Sequence, residues 1–197
     1  MSKAQAHPES SAAQRILEVA SELFYQNGYH ATGINEVIAK AGVAKATFYS
    51  HFPSKEDLAR EYIDATGKAE VRHIDGFIAR AKDPMEKYLA VIASLEPWLL
   101  ETDFRGCPFI NLASETPDPD SPLREAGKMV YSEARKRVTI QCQELIASDT
   151  KKYGHLDPEQ LTRNYMLIFV GAIGLAEIYH AMWPLEHALE GARGLIR

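Results

Sequence analysis

The strongest constraint on this chain is one glycine, Gly42, between two short segments that each have one apolar face. Before it, Ile34, Val37, Ile38 and Ala41 recur at helical spacing and form a stripe. A glycine just past a last helical turn adopts the left-handed cap conformation at little cost, so the helix is expected to stop at Gly42. Val43 returns to the core, and residues 44–52 read as a second short helix with Phe48 and Phe52 one turn apart facing inward. Lys45, Ala46, Thr47, Tyr49 and His51 are left on or beside the outward face. Pro53 ends that helix, and Ser54 is a good N-cap for the next, with Glu56 and Asp57 in its first turn. Helix, glycine turn and helix, with an exposed cationic, hydroxyl and aromatic face, is the pattern of a helix-turn-helix DNA reader.

The pattern sits inside a longer series of motifs. R-I-L-x-x-A-x-x-L-F runs from Arg15 to Phe24 and N-G-Y-x-A-T from Asn27 to Thr32. I-A-K-A-G-V-A-K-A-T-F-Y-S-H-F follows from Ile38 to Phe52, then S-K-E-D-L from Ser54 to Leu58. In order and spacing this series resembles the DNA-binding domain of the TetR family of transcriptional repressors. Ala44 departs from it, standing where the family usually has serine, which removes a helix cap but no base contact. The resemblance implies an all-α fold with a three-helix DNA-binding domain over 10–56 and a helical ligand-binding and dimerisation domain over 57–197. It also implies that the reader helix lies in the major groove. Lys45 would then donate to guanine O6 or N7, and Ala46 would meet a thymine methyl. Thr47, Tyr49 and Lys55 match phosphate contacts, which fix register without reading sequence. Asn35 is a further phosphate ligand, Glu36 reaches toward a cytosine amino group, and His51 adds to the cations of the docking face. Each of these also has a plain reading as a solvated surface residue. The implied partners are a palindromic operator in double-stranded DNA, a second copy of the chain and a small-molecule effector, with no cofactor.

Beyond the reader, breaker and cap residues divide the chain. Residues 1–9 are polar and read as an arm, and a helix is expected from Ser10 or Ser11 to about Gln26. A helix from Ser54 to about Ala81 starts in the DNA-binding domain and ends in the next. Asp83-Pro84 opens another to about Glu101, with a kink expected at Pro97. A shorter helix follows Cys107-Pro108, a long one runs from about Pro122 to Asp149, and residues 151–155 connect. Asp157-Pro158 opens the most apolar helix, to about Met182, and a last one reaches Leu195. No strand signal and no internal repeat is present. No apolar run approaches the roughly 18 residues that span a bilayer, and the N-terminus lacks the apolar core of a signal peptide. Two cysteines, Cys107 and Cys142, do not make a disulfide framework, and a reducing cytoplasm is the expected setting.

In the second domain one constellation stands apart. Gly106-Cys107-Pro108 puts Cys107 at a helix N-cap, where the helix dipole and Arg105 favour a thiolate. Cys107, Asn111 and Glu115 recur every four residues and share a face. Some TetR relatives with a Gly-Cys here sense electrophiles or oxidants; the competing reading is a buried structural cysteine beside a small-molecule pocket. For that pocket the candidates are Tyr62, Trp98, Phe109, Tyr131, Tyr165 and Phe169, with Asn111 or Glu115 orienting a polar group. Aromatic residues at helical spacing also serve as plain core. The chain is therefore expected to be a repressor released by an effector or by modification of Cys107. Two other classes compete with it. Glu70-x-x-His73 and Glu177-x-x-His180 are the pairs of a di-iron helical bundle enzyme, and a DNA-binding protein without ligand is the third reading. No zinc spacing, nucleophile elbow or Gly-rich phosphate loop is found, so catalysis is not expected.

Charge modifies the DNA reading. Residues 1–60 hold six Lys/Arg and six Asp/Glu and are formally neutral, so the net charge of −5 lies in the remainder. A strongly basic domain is absent, and the few cations must lie on the docking face: Lys40, Lys45, Lys55 and His51. Each neutralised phosphate contributes roughly −0.9 to the slope of log affinity against log salt, so a shallow slope is expected from a salt titration of DNA binding. A slope near −10, that of a highly basic repressor, contradicts this reading.

Overall fold

In the computed structural model, which describes residues 11–197, the first helix begins where its sequence predicts. Ser11 closes a capping box: its hydroxyl accepts from Gln14 N at 3.2 Å, and the Gln14 side chain accepts from Ser11 N at 2.8 Å. The expected arm over 1–9 lies outside the described residues. Eleven helices follow in order among the described residues: α1 (Ala12–Asn27), α2 (Ile34–Ala41), α3 (Lys45–His51), α4 (Lys55–Arg80), α5 (Pro84–Ala93), α6 (Leu95–Glu101), α7 (Pro108–Glu115), α8 (Pro122–Ser148), α9 (Thr150–Tyr153), α10 (Pro158–Tyr179) and α11 (Trp183–Gly194). No strand occurs among them, and the fold is all-α as expected.

The chain forms two compact units. One joins residues up to Gly67 with Pro108–Lys128, and the other joins Lys68–Cys107 with Met129–Arg197. The first therefore extends past the boundary expected at 56/57 and takes in α7 and the start of α8. The chain passes between units within α4, at the Cys107–Pro108 bond and within α8.

In the first unit the core is built from Ile16, Ala20, Leu23 and Phe24 of α1, Val37 and Ala41 of α2, Phe48 and Phe52 around α3, and Leu58, Tyr62 and Ile63 of α4. Gly42 takes the left-handed conformation that caps α2, with φ +64°. Thr32 is buried, and its hydroxyl donates to Gly28 O at 2.8 Å and lies 3.2 Å from Leu23 O, so the turn after α1 closes on itself. At the start of α4, Ser54 Oγ accepts from Asp57 N and donates to Asp57 Oδ2.

The second unit is organised by two buried tyrosines whose ring centroids lie 5.2 Å apart, edge to face. Tyr88 of α5 donates its hydroxyl to Ala192 O of α11 at 2.9 Å, and the Tyr165 hydroxyl of α10 accepts from Ile92 N at 3.1 Å. The helix expected from Pro84 to Glu101 is divided at Ser94, three residues before the proline thought to kink it. A proline ring clashes with the carbonyl four residues earlier, here Ala93, so the break falls upstream of Pro97 itself. The short helix α9 overlaps the connection expected over 151–155, and Asp149 caps it by accepting from Lys152 N. By length and composition α10 is apolar enough to cross a membrane, and 39% of its most apolar window is buried inside the chain. Core helices of water-soluble proteins meet the same test. Its exposed stripe, however, includes Leu167 at 73% and Ile178 at 74% exposure.

Candidate nucleic-acid interface

Seven residues make up α3, too few to be stable alone in water. The helix forms because Phe48, fully buried, and Phe52 anchor one side of it. That anchoring points the other side outward: Lys45, Ala46, Tyr49 and His51 are exposed, and Thr47 is half-buried. Among the described residues Lys45 has no ion pair, so its ammonium is available for another partner. The N-cap Ala44 makes no side-chain hydrogen bond, which leaves the first amides of α3 uncapped. Arg15 Nε donates to Ala41 O at 3.4 Å and holds α1 to the end of α2. Asn35 is exposed in the first turn of α2, where backbone amides and dipole favour an anion. Glu36 is less free than expected for a base contact, because Lys40 pairs with it at 3.0 Å.

Lys55 differs more from expectation. Its ammonium lies over the Tyr29 ring, 4.5 Å from the centroid, and donates to His30 O at 3.4 Å. Partial burial pulls its pKa below the usual lysine value, with Glu115 acting in the opposite direction. This lysine tethers the α1–α2 turn, whatever else its ammonium contacts.

The same turn is held from the other side by Glu115, the last residue of α7. Its carboxylate accepts from Tyr29 N at 3.1 Å and from His30 N at 2.7 Å. His30 Nε2 donates to the backbone carbonyl of Glu115 at 2.7 Å. The carboxylate thus serves two amides of the turn instead of standing free to orient a ligand. Gly28 is required beneath it: φ is +95°, and a Cβ there would meet Glu115 Oε1 at 2.7 Å. Asn111, Tyr62, Glu115, Phe24, Tyr29 and Leu112 are among the residues around a narrow crevice of the first unit with about 10 Å³ of water-accessible space, no more than one water fills. Phe109 is buried in that unit.

The remaining sensor candidates lie in the second unit. Cys107 is 3% exposed, and its Sγ lies 3.2 Å from the Tyr131 hydroxyl. Burial holds the Tyr131 phenol well above its ordinary range, with Cys107 and then Glu70 reinforcing the shift. Glu70, half-buried on α4, makes no hydrogen bond or ion pair among the described residues, and burial pushes its carboxyl up to about 7. Trp98 is half-buried on α6. Tyr165 and Phe169 are core residues, Tyr165 being committed to Ile92 N. Cys142 is buried as well, and desolvation pushes its thiol up to about 11, against a hydrogen bond with Thr162. The nine effector candidates are thus divided between the units. Sequence reasoning singled out Cys107 and Tyr131 but missed Glu70 except as half of a metal pair. An acid at a position flanked by Val71 and Ile74 was the available signal.

The Glu-x-x-His pairs do not converge: among the described residues no group of three or more His, Cys, Asp or Glu could hold a metal. His73 Nε2 donates to Ser94 O at 2.8 Å, and Glu177 pairs with Arg105 at 3.6 Å.

Comparison with known proteins bears on the same two regions. The family described as bacterial regulatory proteins, tetR family, matches residues 16–62, and the tetracyclin repressor-like C-terminal domain matches residues 84–192. The uncharacterized HTH-type transcriptional regulator YxaF of Bacillus subtilis is 36% identical over 120 residues, 60% of this chain and 63% of that protein. The HTH-type transcriptional regulator LmrA of Bacillus subtilis is 34% identical over 122 residues, 61% of this chain and 65% of that protein. The matched stretch is thus under two thirds of the length of these relatives. A TetR-family transcriptional regulator from Streptomyces coelicolor has a similar structure, with TM-score 0.81, 26% identity and 94% of each chain covered. A TetR transcriptional regulator from Chloroflexus aurantiacus matches with TM-score 0.79 and 29% identity over 92% of this chain and 91% of that one.

Glu70 has a consequence that denaturation can read. Because burial raises its carboxyl from 4.5 to about 7, the folded protein holds this proton more tightly than the unfolded chain. Stability from that proton is complete below about pH 4.5 and is lost as pH rises through about 7. Glu70→Gln is therefore expected to be more stable than wild type above pH 7 and to lose this advantage on acidification. A stability difference that stays constant across that range contradicts the assignment.

Proposed function

Because this chain belongs to the TetR family of bacterial regulatory proteins, a DNA-binding transcriptional regulator, we propose that it acts as a homodimeric repressor of a palindromic operator, released by a small molecule taken up by the second unit. The observation that carries the DNA contacts is the orientation of α3: Phe48 is buried, while Lys45, Ala46 and Tyr49 stand exposed on the opposite side. Lys45 and Ala46 read base edges, and Thr47, Tyr49 and Asn35 hold phosphates. His51 and Lys55 lie at the rim, Lys55 keeping its tether to the turn. Glu36 contributes little to base readout while Lys40 is paired with it.

Dimerisation is supported by α10. Leu167, Leu175 and Ile178 form an exposed apolar stripe, and an added Cβ at Gly171 or Gly174 would meet no neighbouring atom within 4 Å. A second copy approaching there buries the stripe at close backbone distance, and its two-fold symmetry matches two operator half-sites. Effector recognition is supported by the polar group Cys107, Tyr131 and Glu70 within the second unit. The effector must bind the released form better than the DNA-bound form, since equal binding shifts nothing.

An operator selected from random DNA tests the contacts. Lys45→Ala is expected to relax preference at one base pair by about 1–3 kcal/mol. Tyr49→Phe is expected to weaken all sequences alike, and profiles with the opposite pattern contradict the roles. Maleimide treatment of wild type and Cys107→Ser on that operator separates the effector classes. With the thiol this buried, both proteins are expected to stay bound, and release of wild type alone makes modified Cys107 the trigger.

A further inference from the structure

The Glu115 bonds lie in the part of the chain that meets DNA, yet they touch none of the residues that face it. The turn they grip, Gly28 to Ala31, joins the end of α1 to Thr32, Gly33 and the start of α2. Two successive amides there, those of Tyr29 and His30, have the Glu115 carboxylate as their acceptor. A carboxylate accepting from backbone amides makes bonds about twice as strong as neutral ones. His30 returns a third bond to the Glu115 carbonyl, and Lys55 closes the group through the Tyr29 ring and His30 O. The space under the carboxylate is open only because residue 28 is glycine. The α1–α2 turn, the first turn of α4 and the end of α7 are therefore tied together at one point.

We propose that Glu115 is a positioning residue for DNA binding: its carboxylate latches the α1–α2 turn and so holds α2 and α3 at the angle that docks. The proposal rests on the DNA-binding reading above. Phosphate and base contacts tolerate little error in placement, so a turn that is free to rock lowers affinity without removing any contact residue. The latch also has a natural route of control. Helix α7 starts at Pro108, directly after Cys107, the last residue of its segment in the second unit. Eight residues at 1.5 Å each make a rigid rod about 12 Å long, with the sensor candidate at its start and the latch at its end. Displacement of the Cys107 backbone is delivered to Glu115 through that rod, beside the longer route along α4.

The test uses the full chain and the selected operator. Amide exchange by NMR reads the latch, and titration of operator reads its effect, with thermal unfolding establishing that each variant is folded. Glu115→Ala is expected to exchange faster at Tyr29 and His30 and to bind operator about tenfold more weakly. Its salt slope should be unchanged because no phosphate contact is lost. Glu115→Gln keeps one carbonyl acceptor and is expected to fall between the two. Ser114→Ala, whose exposed hydroxyl donates only to Ile110 O of its own helix, is expected to match wild type. If Glu115→Ala frees the two amides but binds operator as tightly as wild type, the positioning role is overturned. It is equally overturned if Ser114→Ala weakens binding as much, or if the amides of Tyr29 and His30 exchange no faster without the carboxylate. Failure of wild type to bind any DNA removes the DNA-binding reading and this one with it, whereas an unweakened Glu115→Ala removes only the latch.

Discussion

Burial of Phe48 is the interaction on which the first unit depends. A helix as short as α3 does not repay its nucleation cost in water, so it exists only where a large side chain ties it to a core. Phe48 does this at 0% exposure, with Phe52 one turn on. Removing a buried phenylalanine side chain costs about 3–5 kcal/mol, a large fraction of a typical domain's stability. Because the anchor is on one side of a seven-residue helix, it also determines which residues face outward. The chemistry of the outward face and the stability of the helix thus follow from the same residue.

Regulation requires that this small, cooperative unit be joined to something that can move. The helices α4 and α8 and the Cys107–Pro108 bond provide the covalent joins. The helix that follows the Cys107–Pro108 bond, α7, has a charged and hydrogen-bonded group at its far end, where Glu115 holds two amides. Apolar packing is tolerant of small shifts, whereas a charge-assisted pair of hydrogen bonds weakens steeply with angle and distance. A contact of that kind is more sensitive to displacement than apolar packing is.

The second unit keeps polar groups inside it in two different conditions. Around Tyr88 and Tyr165 each hydroxyl has a backbone partner, and the arrangement rigidifies the packing of α5, α10 and α11. Near Tyr131, by contrast, Glu70 has no hydrogen bond or ion pair among the described residues, and farther along α8 Gln141 leaves its buried Oε1 without a hydrogen bond among them. Satisfied groups cost little once folded, and unsatisfied ones carry a desolvation penalty that an incoming ligand or water relieves.

Local chemistry made most of the helices legible. Ser11, Ser54, Asp83 and Asp157 are caps that act within three residues, and the apolar period of 3.6 is a property of consecutive residues; the cap at Asp149 was not read, and α9 with it. The outward face of α3 was legible for the same reason, since Phe48 and Lys45 share one short helix. The break at Ser94 instead of Pro97 was missed by three residues, because the clash of a proline ring falls on a carbonyl upstream of it. What the amino-acid sequence by itself determined was most of the helices, the family and the outward face of α3, all set by neighbours a few residues apart. Only the tertiary structure decided that Glu115 grips a turn 85 residues away, that Lys55 lies on Tyr29, and that Tyr62, Phe109 and Asn111 belong with the DNA-binding unit. Those outcomes depend on which surfaces meet across long stretches of chain, and no periodicity or cap encodes a partner at that distance.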